Sequence, residues 1–241
     1  MKVYCATNIG CVRTLNEDSY YLPTSSQRFM AVADGMGGHL AGEVASQMAV
    51  RILAENLTGE KTLAEDKIRH AFMKANHDVY MEAERDQTKH GMGTTMTALW
   101  FGQGTLLMAH VGDSRAYRLR DGKITRASVD HSYVEELVRS GIITPEMALH
   151  HPQRNIITRS IGPWPRVEVD VERFDYREGD VWLLCTDGLT RYVSDAEMER
   201  VLNASKTWKE KVDELIATVL ERGGADNVTV MIVAGESDGN E

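Results

Sequence analysis

The chain has 241 residues, of which 42% are hydrophobic and 26% are charged, a composition that excludes an intrinsically disordered protein. A net charge of −9 without any block of Lys or Arg argues against a nucleic-acid-binding protein. No apolar run approaches the roughly 18 residues of a membrane span, and the first residues lack the apolar block of a secretory signal, so we expect a soluble, cytoplasmic protein with no membrane partner.

Short strands typical of antiparallel sheets dominate the predicted elements. Their predicted bounds are residues 2–6, 19–22, 28–33, 94–101, 105–111, 116–120, 123–126, 167–174, 181–185 and 228–233. Asp121-Gly122 lies between two of them as a two-residue hairpin turn. Cys5, Cys11 and Cys185 show no CxxC spacing, which predicts reduced thiols rather than a disulfide framework or a zinc site.

Four helices interrupt the strands, over residues 42–57, 62–86, 194–202 and 207–222. The last three each begin with a capping box, namely Thr62 with Glu65, Ser194 with Glu197, and Thr207 with Glu210. Paired helices between runs of antiparallel strands predict a layered α+β fold. We expect one domain over residues 1–241, a flexible tail at 235–241, and an inserted flap at 128–162 that contains two short helical pieces.

Acidic residues recur at the ends of the predicted apolar strands. The pairs are Asp34-Gly35, Gly112-Asp113, Asp187-Gly188 and Asp226-Asn227. For any single aspartate a turn is the commoner explanation, because Asp-Gly favours turns for conformational reasons. Asp121-Gly122 provides the comparison, since its strand alternates polar and apolar residues as a half-exposed hairpin should.

Asp34 and Asp187 instead follow near-continuous apolar runs, the pattern of strands buried on both faces. A carboxylate at the end of such a strand needs a compensating partner, yet no Lys or Arg stands beside Asp34, Asp187 or Asp226 in the sequence. The aspartates together therefore favour a site for hard cations such as Mg²⁺ or Mn²⁺. The glycine after Asp34 allows a backbone carbonyl to approach such an ion.

Arg13 and the cluster Asn16-Glu17-Asp18 form a second candidate group. The arginine could belong to a surface ion pair of little energetic value. It could instead bind phosphate oxygens through its planar guanidinium, which suits that geometry better than Lys does. The local sequence leaves both explanations open.

Several short motifs follow one another in a fixed order. They are Asn8-Ile9-Gly10, Val12-Arg13, Asn16-Glu17-Asp18, Asp34-Gly35-Met36-Gly37-Gly38-His39, Gly42-Glu43, Ala45-Ser46, Gly93-Thr94-Thr95, Val111-Gly112-Asp113-Ser114-Arg115, Asp130-His131-Ser132, His151-Pro152-Gln153-Arg154-Asn155, Ile157-Thr158-Arg159, Thr186-Asp187-Gly188-Leu189 and Asp226-Asn227-Val228-Thr229. This series resembles the bacterial branch of the protein phosphatase type 2C family, from Asn8 to about Val233.

The resemblance implies a four-layer α-β-β-α sandwich, in which two antiparallel sheets are flanked by helices and two divalent cations, Mn²⁺ or Mg²⁺, lie at one end. Asp34 would bridge the two ions and the carbonyl of Gly35 would bind one of them. Asp187 and Asp226 would bind the other.

The resemblance also implies roles for residues around these ligands. Glu17 would act largely through metal-bound water, and Arg13 would bind the substrate phosphate. Asp18 and Asn227 would support the ligands from behind, and Asp113 would hold a third, weaker ion.

These assignments imply a metal-dependent serine/threonine protein phosphatase. A water bridging two ions roughly 3.5–4 Å apart would attack the phosphoryl group directly. No phosphoenzyme is expected, because Cys11 and Cys185 lack an adjacent base motif. The expected partners are phosphorylated proteins and an opposing bacterial Ser/Thr kinase, and the protein is expected to be a monomer.

Two positions depart from relatives in this family. Met36 stands where eukaryotic members often carry a histidine proposed to protonate the leaving group, so a metal-bound water is the expected acid and His39 is expected to be structural. Arg191 stands where many members carry an acidic residue that helps to hold the third ion with Asp113. The arginine is expected to weaken that ion.

Two further hypotheses stay open on the sequence. A pseudo-phosphatase would use the same fold as a regulatory binding module, and Arg191 is the one departure that favours it. A hydrolase of small phosphate esters would use the same site, since fold and site do not name a substrate.

Overall fold

The computed structural model describes residues 1–23, 28–37, 41–60, 64–102 and 104–234. The strands are β1 Lys2–Asn8, β2 Asp18–Tyr21, β3 Phe29–Met36, β4 Gly93–Thr94, β5 Met96–Phe101, β6 Thr105–Val111, β7 Arg115–Arg120, β8 Lys123–Arg126, β9 Asp170–Asp175, β10 Val181–Cys185 and β11 Val228–Ala234. The α-helices are α1 Ala41–Leu57, α2 Glu65–Arg85, α3 Tyr133–Arg139, α4 Pro145–Leu149, α5 Asp187–Thr190, α6 Asp195–Asn203 and α7 Trp208–Glu221.

Two antiparallel sheets form the centre of the structure. The first sheet has the strand order β1-β11-β10-β7-β8, and the second has β2-β3-β5-β6-β9 with β4 paired to β3. Helices α1 and α2 pack on the outer face of the second sheet, and α6 and α7 pack on the outer face of the first. This arrangement confirms the predicted four-layer sandwich.

Successive side chains of a strand point to opposite faces of the sheet, and both faces of these sheets are covered. In β3, Phe29 and Ala31 point to the helices of the outer layer, while Met30 and Val32 point to the core between the sheets. Trp182 of β10 is fully buried in that central core. Strands that are covered on two faces must be apolar at successive positions, as 29–33 and 181–185 are.

The helix caps that the sequence predicts are partly observed. Ser194 and Thr207 form the expected capping boxes with Glu197 and Glu210. For α2, however, the N-cap is Ala64 and the helix begins at Glu65; Thr62 lies outside the described residues, as do His39 and the predicted tail at 235–241.

Three predicted boundaries are wrong in an informative way. Strand β3 continues to Met36, so Asp34 and Gly35 lie inside a strand and not in a turn after it. The strand predicted over 94–101 is divided at Thr95, whose N–H donates to the carbonyl of Asp34. Strand β9 begins at Asp170, three residues later than predicted.

Between β8 and β9 the chain contains α3 and α4, the two short helices predicted there. Isolated bridges join Ser132 to Ile157 and Thr94 to Ile161. The hairpin turn at Asp121-Gly122 is also observed, with φ of 51° and 74° as a two-residue turn requires. None of the described helices is both long and apolar enough to cross a membrane.

Candidate metal centre

The predicted acidic ligands come from both sheets and meet at one end of the sandwich. In the second sheet, the register places Asp18 of β2 opposite Asp34 of β3. In the first sheet, Asp187 follows β10 and Asp226 precedes β11, and these two strands are neighbours. The sandwich thus gathers carboxylates from segments that are far apart in the sequence.

Hydroxyl groups join the two sheets at this end. Thr186 Oγ1 and Thr229 Oγ1 both donate to Asp18 Oδ2, at 2.9 Å and 2.6 Å. Thr229 N–H in turn donates to Thr186 Oγ1 at 2.9 Å. Asp18 is therefore held by residues of the first sheet, although it belongs to the second.

Asp34 is held through its backbone by the segment between β4 and β5. Its N–H donates to Thr95 Oγ1, and its carbonyl accepts from Thr95 N–H and from Thr94 Oγ1, each at 2.9 Å. Thr95 Oγ1 also lies 2.7 Å from Ser114 Oγ, next to Asp113. The break at Thr95 thus links the backbone of Asp34 to the segment that carries Asp113.

Close backbone approach explains the glycines after two of the aspartates. A Cβ on Gly35 would lie 2.1 Å from the carbonyl oxygen of Gly42, and a Cβ on Gly188 would lie 1.9 Å from that of Asn227. Neither glycine has a positive φ. Close backbone packing, and not a turn conformation, therefore requires glycine after Asp34 and after Asp187.

Burial and mutual repulsion raise the pKa values of several of these carboxylates. Burial raises the pKa of Asp34 well above its usual value, and the neighbouring carboxylates, Asp18 foremost, raise it further. Burial likewise raises the pKa of Asp18 to about 7 and that of Asp113 to about 8. Carboxylates that are this close and this shielded from water need cations to ionise together.

Several oxygens of this cluster are buried without a partner. Within the described part of the chain, the buried carboxylate oxygens that accept no hydrogen bond are Glu17 Oε1, Asp18 Oδ1, Asp113 Oδ1 and Asp187 Oδ1. An unpaired buried acceptor costs free energy, and native proteins satisfy almost all such groups. Four of them at one end of the sandwich indicate a ligand with positive charge.

Two arginines engage the aspartates of the first sheet. Arg13 Nη2 lies 2.8 Å from Asp226 Oδ1, and Arg191 contacts Asp187 Oδ2 and Asp226 Oδ2. No Lys or Arg among the described residues pairs with Asp34. The expectation that these aspartates lack basic partners is therefore wrong for Asp187 and Asp226, because Arg191 reaches back by one helical turn and Arg13 reaches across from another loop.

The loop that carries Arg13 and Glu17 is fixed by Asn227. The side-chain amide of Asn227 donates to the carbonyls of Ile9 and Leu15 at 3.0 Å and 2.9 Å, and its Oδ1 accepts from Glu17 N–H at 2.8 Å. Arg13 itself is 47% exposed at the side chain, so its guanidinium is accessible to a substrate.

The beginning of the predicted flap is anchored to the turn that carries Asp113. His131 N–H donates to the Gly112 carbonyl at 2.7 Å, and Gly112 N–H donates to His131 Nδ1 at 3.0 Å. Nδ1 is thus an acceptor, so the ring proton is on Nε2, which donates to Asp170 Oδ2 at 3.1 Å. Arg115 binds Asp130 through Nε and Nη2.

Sequence reasoning assigned no role to several residues in this region. Thr95, Thr186, Thr229 and His131 all stand within the recognised motifs, yet nothing in their local sequence indicates what they bind.

Met36 is the last residue of β3, and its Cε lies 2.9 Å from where a Cβ would stand on Gly93. Its thioether carries no proton to donate, so Met36 cannot act as the general acid.

The donor set fits hard divalent cations. All of the candidate side-chain ligands are carboxylates, which Mg²⁺ and Mn²⁺ prefer over thiolates. In the described ranges, no three His, Cys, Asp or Glu side chains converge into a finished coordination sphere, and the arginines hold two of the carboxylates. The buried oxygens Glu17 Oε1, Asp18 Oδ1, Asp113 Oδ1 and Asp187 Oδ1 accept no hydrogen bond within the described residues, so they can bind such an ion.

Known proteins resemble this chain along nearly its whole length. The sequence model of the family described as Protein phosphatase 2C matches residues 12–230. The serine/threonine phosphatase stp of Listeria monocytogenes is 40% identical over 236 residues, which cover 94% of this chain and 93% of that protein.

Solved structures agree with the sequence relatives. The Mycobacterium tuberculosis serine/threonine phosphatase PstP/Ppp superimposes with a TM-score of 0.91 at 39% identity, covering 98% of this chain and 99% of that one. The catalytic domain of PstP in complex with two manganese ions superimposes with a TM-score of 0.87 at 38% identity, covering 96% of each chain.

Proposed function

This chain belongs to the protein phosphatase 2C family and is a serine/threonine phosphoprotein phosphatase, and from that premise we propose that it acts through two divalent cations and direct attack by water. The observation that carries this proposal is the set of buried, unpartnered carboxylate oxygens drawn from both sheets. We propose that Asp34, the Gly35 carbonyl, Asp187 and Asp226 hold the two ions.

The residues around these ligands have supporting roles in the proposal. Glu17 contributes largely through water, while Asp18 and Asn227 hold the ligand-bearing segments in place. A third, weaker ion would depend on Asp113. When bound to these residues, two divalent cations, Mn²⁺ or Mg²⁺, would lower the pKa of a nucleophilic water and neutralise the phosphoryl oxygens.

The chain's own residues bind and orient the substrate. Arg13 is exposed beside Asp226, and its planar guanidinium can donate hydrogen bonds to phosphoryl oxygens. Met36 provides no proton, so the leaving oxygen takes its proton from water.

A phosphocysteine intermediate has no support in the cysteine environments. Burial raises the pKa of the Cys5 and Cys185 thiols to about 12, so neither is a thiolate at neutral pH. We propose that the phosphoryl group is transferred directly to water.

We propose phosphorylated proteins as substrates, an opposing Ser/Thr kinase as the functional partner, and the cytoplasm as the place of action. Residues 1–241 would form one catalytic domain with the flap at 128–162. A regulatory pseudo-phosphatase is disfavoured because every proposed ligand is present, and the resemblance to serine/threonine phosphatases favours a phosphoprotein over a small phosphate ester.

The test is metal-dependent hydrolysis of an aryl phosphate and of phosphothreonine peptides by the wild type and by Asp34→Asn. Loss of a ligand should cost more than the roughly 100-fold seen at the upper end for residues behind metal ligands. Asp121→Asn is the matched control, because that aspartate occupies a hairpin turn that Asn also tolerates.

Two results would contradict the proposal. Activity that is indifferent to Asp34 would refute the metal mechanism. Absence of metal-dependent activity in the wild type would instead favour a binding module.

A further inference from the structure

Arg191 makes contacts that the proposed mechanism does not use. It is the fourth residue after Asp187, directly after α5, so its side chain returns to the beginning of that helix. Its Nε lies 3.0 Å from Asp187 Oδ2, its Nη2 contacts the same oxygen, and its Nη1 lies 3.3 Å from Asp226 Oδ2. One guanidinium thus joins two of the proposed ligands.

As a result, the arginines form ion pairs with some aspartates of the cluster and not with others. Both oxygens of Asp226 are engaged, because Oδ1 also accepts from Arg13 Nη2 at 2.8 Å and from Asn227 N–H at 3.0 Å. Asp34, by contrast, pairs with no Lys or Arg in the described residues, and its pKa is raised by burial and by the other carboxylates. Among the described residues, Lys and Arg side chains therefore pair with Glu17, Asp187 and Asp226 but not with Asp34.

A guanidinium on these oxygens opposes an ion that shares them. The negative charge of the two carboxylates is fixed, so the arginine and a divalent cation compete for it. The two positive charges also repel each other at this distance. Asp187 and Asp226 are each 14% exposed at the side chain, so solvent screens this repulsion only in part. Arg191 is 37% exposed and can leave toward solvent.

We propose that Arg191 is a built-in counter-cation, which stabilises the paired aspartates Asp187 and Asp226 and competes with the divalent ion that they hold. Arg191 thereby sets the metal concentration that the phosphatase requires. This inference rests on the proposed metal centre. It differs from the effect of Arg191 on a third ion at Asp113, because it concerns the ligands of the principal site.

The first measurement is calorimetric titration of chelator-treated protein with Mn²⁺, for the wild type and Arg191→Gln. An arginine beside a carboxylate weakens its proton binding by roughly ten-fold or more, so Arg191→Gln should bind the Mn²⁺ held by Asp187 and Asp226 about ten-fold more tightly. Its melting temperature in the presence of chelator should fall, because the carboxylates then repel each other without compensation.

Two variants serve as controls. Arg173→Gln removes the same charge from an exposed pair with Glu65, far from the aspartates, and should leave Mn²⁺ affinity as in the wild type. Arg191→Lys keeps the charge but loses the planar fork, and it should bind Mn²⁺ with an affinity between those of the wild type and Arg191→Gln.

A second measurement keeps the inference testable if Arg191→Gln does not fold. The Arg191 Nε–H resonance of the wild type, identified by its absence from Arg191→Lys, should exchange faster with water as Mg²⁺ is added. Exchange that does not change on Mg²⁺ binding would overturn the inference.

The possible failures are distinguishable. Unchanged or weaker Mn²⁺ binding by Arg191→Gln overturns the counter-cation. Failure of the wild type to bind Mn²⁺, or equal binding by Asp34→Asn, refutes the metal centre itself and the counter-cation with it.

Discussion

His110 is a buried base on β6, three residues before Asp113. Its Nε2–H donates to the Val129 carbonyl at 3.0 Å, so Nδ1 is the acceptor for the Thr97 hydroxyl at 2.9 Å. The pKa of His110 is lowered to about 4, mainly by burial and also by the neighbouring His131, while Asp130 and Asp170 act in the opposite direction. The imidazole is therefore neutral in the folded protein at neutral pH.

This environment predicts acid sensitivity. Between pH 6.5 and 4 the unfolded chain binds a proton at His110 and the folded chain does not, so the free energy of unfolding falls as the pH is lowered through this window. Between pH 7.5 and pH 5 the proton binding of His110 should lower the free energy of unfolding by about 2 kcal/mol. This contribution is measured by urea unfolding at the two pH values, as the difference between the wild type and His110→Gln.

The comparison with His110→Gln is needed because other groups act in the opposite sense. Asp18 and Asp113 have raised pKa values, so their carboxyl groups favour the folded state when protonated, and that contribution is lost as the pH rises. Glutamine does not titrate in this range, so it removes the difference in proton binding at this position. Equal pH dependence in the two proteins would contradict the assignment to His110.

At the scale of elements, the segment at 128–162 is attached at both ends to the rest of the site. His131 binds Gly112 at its beginning, and the Ile161 N–H donates to the Thr94 carbonyl at 2.9 Å near its end. The exposed apolar side chains Ile142, Met147 and Leu149 lie between these ends. The anchors therefore determine where this segment stands relative to Asp113.

His131→Gln should loosen this attachment. Glutamine cannot satisfy Gly112 N–H and Asp170 together, so we expect kcat/KM for a phosphothreonine peptide to fall about ten-fold through misplacement of the flap, with a smaller effect on an aryl phosphate. The measurement is kcat and KM for both substrates.

The control for this prediction is His150→Gln. His150 is the C-cap of α4 within the same segment, and its backbone N–H makes the capping bonds. Equal losses on the two substrates, in His131→Gln or in a deletion of the flap, would contradict a role in phosphoprotein selection.

At the scale of the whole molecule, the proposed metal centre lies between the two sheets. Asp18 and Asp34 come from the second sheet, while Asp187 and Asp226 border strands of the first. Ions held by both sets would join the layers, in addition to the central core around Trp182.

Mn²⁺ should therefore stabilise the protein against heat. At a free concentration of 100 times the dissociation constant, one site contributes about 2.7 kcal/mol. For a chain of this size, that corresponds to a rise in melting temperature of roughly 5 to 10 °C. Differential scanning calorimetry with Mn²⁺ and with chelator measures the shift.

Asp34→Asn provides the comparison for this stabilisation. The variant should lose most of the Mn²⁺-dependent shift while it keeps a cooperative transition. A shift of equal size in Asp34→Asn would show that Mn²⁺ stabilises the protein elsewhere.

The sequence by itself determined the layered fold and the residue types of the site. Apolar runs such as 29–33 and 181–185 indicate two-sided burial, and capping boxes such as Ser194 with Glu197 indicate where helices begin, because these signals depend on neighbours in the chain. The motif order then placed Asp34, Asp187 and Asp226 in one proposed centre.

Only the tertiary structure decided which groups meet there. Thr186 and Thr229 reach Asp18 across 168 and 211 residues of sequence, and Arg13 reaches Asp226 from another loop. These contacts depend on strand register and on loop packing. Both bring together segments whose local sequences do not indicate that they are neighbours. The aspartates that the sequence left without basic partners thus divide into Asp34, which pairs with no Lys or Arg in the described chain, and two that share Arg191.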